Sequence, residues 1–100
     1  MAYGIEFAES VKEQLRYLSA RERSLVFESI EEQLGYEPLR ETRNRKLLRP
    51  NPIAPWELRI GNLRVFYEVV IQESDVVRVL AVGRKEGNLL IIAGKEVKLS

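Results

Sequence analysis

Trp56 to Val70, WELRIGNLRVFYEVV, reads as two short strands joined by a tight turn. Apolar and polar residues alternate through Trp56, Glu57, Leu58, Arg59 and Ile60, and again, less strictly, from Leu63 to Val69. Alternation with a period of two sends one set of side chains to a buried face and the other towards solvent. Gly61-Asn62 between them suits a two-residue hairpin turn, because glycine takes positive φ cheaply and asparagine tolerates it. Such a turn sets Ile60 opposite Leu63, Arg59 opposite Arg64, Leu58 opposite Val65 and Glu57 opposite Phe66. The arginine pair is unusual, since like charges directly across a ladder are destabilising by up to ~1 kcal/mol. Two readings follow. Either an anion is held between two guanidinium forks, or both side chains lie flat and point apart, with Glu57 or Glu68 as diagonal partners.

Working outward, the chain before this hairpin is helical. Tyr3 to Phe7 alternates weakly and predicts a first strand. Ser10 to Glu13 and Ser19 to Glu22 each have the form of a capping box, a serine followed three residues later by a glutamate. Val11, Leu15 and Leu18 then recur at helical spacing. So do Leu25 or Val26, Phe27, Ile30 and Leu34. These positions predict two helices in a tight hairpin with apolar stripes turned to a core and Gly35 as the stop. Glu28, Glu31 and Glu32 fall on the outer face and read as solvated surface. Residues 36–55 lack periodicity and contain all four prolines, so they form a crossing loop. Within it lie Arg43, Arg45, Lys46 and Arg49.

After the hairpin, Gln72 to Asp75 predicts a turn and Val76 to Val82, nearly all apolar, a central strand covered on both faces. Gly83 ends it, so that Arg84 and Lys85 leave the sheet at an edge where glycine lets a ligand approach closely. Leu89 to Ile92 and Glu96 to Leu99, separated by Gly94, form a last small hairpin or a seam for a partner. The order is strand, helix, helix, then three or more antiparallel strands. It predicts one α+β domain over residues 1–100, with the two-helix hairpin packed on one face of a small antiparallel sheet.

Composition narrows the chemistry. The chain has no cysteine and no histidine. That removes a disulfide framework, thiolate metal sites, the commonest general base and the commonest transition-metal ligand. No metal or other cofactor is expected. A reducing cytoplasm suits such a chain, and no stretch has the form of a signal peptide or a membrane span. The net charge of +1 hides an asymmetry. Residues 1–41 carry nine acids and five bases, residues 42–100 six acids and eleven bases. A basic working face in the second half implies a polyanionic partner, nucleic acid first and an acidic protein segment second.

The motifs WELRIGNLRVFYEV and VRVLAVGRK, in this element order, resemble the RelE/ParE superfamily of bacterial toxins from type II toxin–antitoxin systems. The resemblance runs from MAYGIEFAESV to VGRKEGN. It implies one of two activities. Members like RelE cut messenger RNA in the ribosomal A site, whereas members like ParE poison DNA gyrase. In both, an antitoxin encoded beside the toxin holds it inactive. The RelE-type site uses basic residues on the sheet, often with a tyrosine near the C-terminus. By position these fall on Glu57, Arg59, Arg64 and Lys85, with Arg84 adjacent, and near Ile91. Arg59, Arg64, Arg84 and Lys85 match in charge, while Glu57 and Ile91 do not.

Cutting RNA through its 2′-hydroxyl needs a base, charge for the developing phosphorane and a proton for the 5′-oxygen. Arg59 and Arg64 supply charge. Lys85 and Lys46 are candidates for the proton transfers, and Glu57 for the base. Arg43, Arg45, Lys46, Arg49 and Arg84 read as phosphate contacts. Phe66, exposed beside the arginines by alternation, would let a base stack. Tyr67 and Trp56 read as core. The expectation is a toxin acting as an endoribonuclease on the ribosome, with messenger RNA, the ribosome and an antitoxin as partners. The alternatives are a gyrase inhibitor and a member that only binds its antitoxin.

Overall fold

A computed structural model describes residues 3–71 and 75–99. The turn expected at Gln72 to Asp75 falls mostly on residues outside these.

Strands β1 (Gly4–Phe7), β2 (Arg45–Leu47), β3 (Trp56–Ile60), β4 (Leu63–Ile71), β5 (Asp75–Glu86), β6 (Leu89–Ile92) and β7 (Lys95–Val97) build a single sheet, and α1 (Glu9–Leu15) and α2 (Ala20–Leu34) lie between β1 and β2 in the chain. β2 to β7 follow each other in sheet order with antiparallel pairing, and β1 joins β5 in parallel. β3 and β4 pair in the register the turn dictates, Ile60 with Leu63 and Arg59 with Arg64. Gly61 has φ 58° while Asn62 stays out of the left-handed region, the combination of a type II′ turn.

β5 is central. One edge carries β4, and the other carries β1 along Val76 to Val79, then β6 along Arg84 to Glu86. The strand runs past Gly83, so Arg84 and Lys85 do not leave the sheet as expected but stay in its ladder. Gly83 serves a crossing of backbones rather than a ligand. A Cβ there would collide with the Ile91 carbonyl oxygen. Leu80 stands unpaired where the partners step from Phe66–Ala81 to Tyr67–Val79, a β-bulge.

The helices cover one face. Val11, Leu18, Val26, Ile30 and Leu34 pack there with Leu58, Val65, Tyr67, Val77, Val79 and other apolar residues. Trp56 and Tyr67 stack with ring centroids 6.0 Å apart, and the Tyr67 hydroxyl donates to the Pro38 carbonyl at 2.6 Å. The second capping box forms in full: Ser19 Oγ accepts from the Glu22 amide and the Ser19 amide donates to Glu22 Oε1. The first does not. The Ala8 amide bonds to the Val79 carbonyl, which carries strand pairing up to the helix start, so α1 begins at Glu9, ahead of Ser10, and Ala8 is its N-cap without a side-chain bond. Phe27 is also not core: at 43% exposure it flanks the Val26–Ile30–Leu34 stripe and meets Phe7 edge-on.

The opposite, outer face is partly covered. Phe66, Ala81, Leu90, Ile92 and Ala54 form a second apolar cluster, capped by Leu48 and Ile53 of the proline-rich loop and by Val97 and Leu99 of the C-terminal segment. Asn51 shapes that loop by accepting from the Ile53 and Ala54 amides. No helix among the described residues is long and apolar enough to cross a membrane.

Candidate functional site

Register alone places the outer-face charges. Lys46 pairs with Glu57, Glu57 with Phe66, and Phe66 with Ala81. One row on, Arg59 pairs with Arg64 and Arg64 with Gly83. Paired residues share a face, so Lys46, Glu57, Arg59 and Arg64 stand together, and Lys85, paired with buried Leu90, joins them.

At the centre is Glu57, 4% exposed. Its Oε1 lies 2.8 Å from Arg64 Nε and 3.6 Å from Arg59 Nε. Both Nε atoms are buried and make no aligned hydrogen bond, so these contacts are charge against charge. Arg64 is further held by the turn: its Nη1 donates to the Gly61 carbonyl at 2.7 Å and the Leu63 carbonyl at 2.8 Å. Its side chain is 13% exposed, against 41% for Arg59. The site therefore has one guanidinium fixed by the backbone and one that reaches solvent, with a single carboxylate between them. Two cations on one anion leave a net positive charge. The flat-lying reading of the pair is thus half right: Glu57 is the partner, while Glu68 pairs with Arg78 instead.

Other candidates separate from this cluster. Phe66 is 1% exposed, because the proline-rich loop and the C-terminal segment close over it, and it offers no stacking surface. Arg45 is 8% exposed on the helix side. Its Nε donates to the Arg40 carbonyl and its Nη1 to the Gln33 carbonyl, near the negative end of α2, where a cation is favoured. It ties the crossing loop to the helix and is not placed to touch phosphate. Arg84 also turns to the helices, since it pairs with Leu63 of the helix-side core. It donates to the Tyr17 carbonyl at 3.0 Å and meets Glu22 Oε1 at 3.1 Å. The Ser19 amide on the Glu22 carboxylate, with Arg84 beside it, holds that carboxyl below its ordinary value against a push from burial. Arg43 and Arg49 are exposed loop charges. Ile91, where a tyrosine would sit, faces the helix side opposite Arg84.

Glu57 looks like a free carboxylate in the sequence and is a counter-ion in the fold. Alternation signalled its face but neither its burial nor the two arginines that share it. Among the described residues no group of His, Cys, Asp or Glu is placed to hold a metal ion.

A strand, a helical hairpin and an antiparallel sheet whose outer face carries clustered cations define a toxin of the RelE/ParE superfamily. The profile of the ParE toxin of type II toxin–antitoxin systems, parDE, matches residues 5–89. The chain belongs to that family. Its fold is similar to a chain in the crystal structure of the RelBE2 toxin–antitoxin complex from Mycobacterium tuberculosis. The TM-score is 0.70 and the identity 27%, over 85% of this chain and 100% of that one. No curated protein sequence matches the chain.

Proposed function

We propose that this toxin arrests translation by cutting messenger RNA on the ribosome, with the scissile phosphate held at Arg59 and Arg64, and that a protein antitoxin masks it. The observation that carries the reading is the uneven cluster of two guanidinium groups on one buried carboxylate. A fold that needed only an ion pair would use one arginine. Arg64, immobilised by Glu57 and two turn carbonyls, is pre-set and loses little freedom when it meets an anion. Arg59 has the reach to close on the same group.

In the reaction the 2′-oxygen forms a bond to phosphorus and the bond to the 5′-oxygen breaks, leaving a cyclic phosphate and a free 5′-hydroxyl. The arginines offset the charge that grows on the phosphorane oxygens. Arg stays protonated and serves as a charge rather than a base. Lys85 and Lys46 on the same face are the groups available to exchange protons with the 2′- and 5′-oxygens. Glu57 keeps the arginines in place.

The test is an expression pulse in a bacterial host, with transcripts mapped for new 5′ ends and gyrase–DNA cleavage complexes scored in the same samples. New ends in phase with the reading frame of translated messages, absent with Arg59→Ala, are expected. A second reading has its own support. Glu57 is committed to the arginines, Phe66 offers no stacking face, and the matching family is that of the ParE toxins. These favour a binding poison of gyrase, which would give trapped gyrase and intact messages. Normal growth with neither signal would leave a protein that only binds its antitoxin.

A further inference from the structure

Far from the arginine cluster, β1 presents an unpaired edge. The Ala8 amide points to Val79 of β5 and the Tyr3 amide, on the other side, to the Gly35 carbonyl. By alternation Ile5 and Phe7 turn their amides and carbonyls the way Tyr3 does, away from β5. Among the described residues no backbone hydrogen bond meets them there. Alongside this edge, between β1 and α2, run two hollows of about 400 and about 390 Å³ that share Ile5 and Glu31 and so form one groove. Its walls are apolar and aromatic: Phe7 is 41% exposed, Phe27 43% and Tyr36 67%. Its rim is acidic. Glu28, Glu31 and Glu32 are exposed and have no salt-bridge partner among the described residues.

We propose that this groove docks an extended peptide segment with apolar side chains at alternate positions and lysine or arginine among them, added to β1 as a further strand. The free edge supplies main-chain hydrogen bonds. The aromatic hollows take side chains from one face of the added strand, and the glutamates pair with its cations. Aromatic residues left exposed beside an open strand edge are a liability unless something covers them. The three glutamates choose a basic segment over an acidic one. The inference rests on the antitoxin reading only for the source of the segment, since its chemistry comes from the groove. An antitoxin meeting both ends of this molecule would then be bipolar, acidic where it meets the arginines and basic where it meets α2.

The test uses the isotope-labelled full chain titrated with a capped peptide in which every second residue is valine or lysine, so that both share one face, with threonine between them, and with its counterpart carrying glutamate in place of lysine, following backbone amides by NMR. The lysine peptide should shift the Ile5 and Phe7 amides and slow their exchange. The double variant Glu28→Lys, Glu31→Lys should weaken binding about tenfold. Both sites are exposed, so that variant should keep the circular dichroism of the parent. Equal binding of the two peptides, shifts confined to the β2 or β7 edges, or no binding would each overturn the proposal. So would a sedimenting dimer in which Ile5 and Phe7 are already protected. Transcript mapping is unaffected by any of these results, so this proposal and the RNA reading can fail separately.

Discussion

Two ion clusters share the outer face of the sheet, with opposite stoichiometry. At one end Arg59 and Arg64 share Glu57, and at the other Arg78 is shared by Glu6 and Glu68. The Glu57 side chain is 6% exposed and lies 2.8 Å from Arg64. Glu6, Arg78 and Glu68 are 58%, 43% and 35% exposed, with contacts of 3.5 and 3.3 Å. The second cluster is ordinary surface pairing and is worth little. The first places a carboxylate out of water, which costs energy unless its partners are well placed, and then adds one cation more than neutrality needs. Excess charge held where desolvation is expensive indicates a site, whereas the same residue types in water indicate only solubility.

The largest effect should come from Glu57→Gln. It leaves Arg59 facing Arg64 with a neutral amide, and no counter-charge, between them. Breaking a buried pair costs ~3–5 kcal/mol, and the reach of Arg59 into water reduces this to about 2 kcal/mol. Glu68→Gln should change stability by less than ~0.5 kcal/mol. Urea unfolding of both variants checks the contrast, and equal losses would break it. Gly83→Ala comes next. Gly83 pairs with Arg64, and its new Cβ would drive into the Ile91 carbonyl, for a loss of about 1.5 kcal/mol. Gly4→Ala, two residues from Glu6, meets nothing closer than 3.8 Å and should stay within ~0.5 kcal/mol of the parent.

Much of this was legible in the sequence, for identifiable reasons. The hairpin register followed from Gly61-Asn62 and the alternation on either side, because a two-residue turn leaves one way to pair the strands. The second helix followed from Ser19 and Glu22, whose side chains have no other local partner. What stayed hidden depended on contacts between distant segments. Ser10 looked like a cap, but strand pairing at Ala8 starts the helix before it. Phe66 alternates onto the outer face as expected, yet the loop carrying Ile53 and Ala54 buries it. Arg45 and Arg84 are indistinguishable in sequence from Lys46 and Lys85, their neighbours in the chain. In a strand, neighbours face opposite ways, and only the ladder shows which of them meets the helices.

A smaller effect concerns Tyr67, just beyond the bulge that separates the two ends of the sheet. Tyr67→Phe removes the bond to Pro38 and should cost about 1 kcal/mol. Burial holds the Tyr67 phenol above its ordinary value of 10.0, against a smaller opposite pull from Arg45. The unfolded chain therefore loses this proton first. The stability it contributes is fully present below pH ~10 and falls as pH rises beyond that. Alkaline titration of parent and Tyr67→Phe should show a steeper loss in the parent. Matching curves would mean that other groups govern alkaline unfolding.

The smallest change in stability should come from the most informative pair, Arg59→Ala and Arg78→Ala. Each removes an arginine whose side chain is more than two-fifths exposed, and each should move stability by less than ~1 kcal/mol. Arg59→Ala loses a 3.6 Å contact to Glu57 but also relieves repulsion from Arg64, so the balance lies near zero. Growth arrest should separate them: it disappears with Arg59→Ala and persists with Arg78→Ala. Arg59→Lys keeps the charge but not the planar fork, and should recover part of the activity if phosphate is gripped by two donors at once. If both alanine variants remain toxic at unchanged stability, the excess charge at Glu57 has no role in toxicity, and the target meets the protein elsewhere. If Arg59→Ala is both non-toxic and no less stable, the fold keeps Arg59 for its target and not for itself.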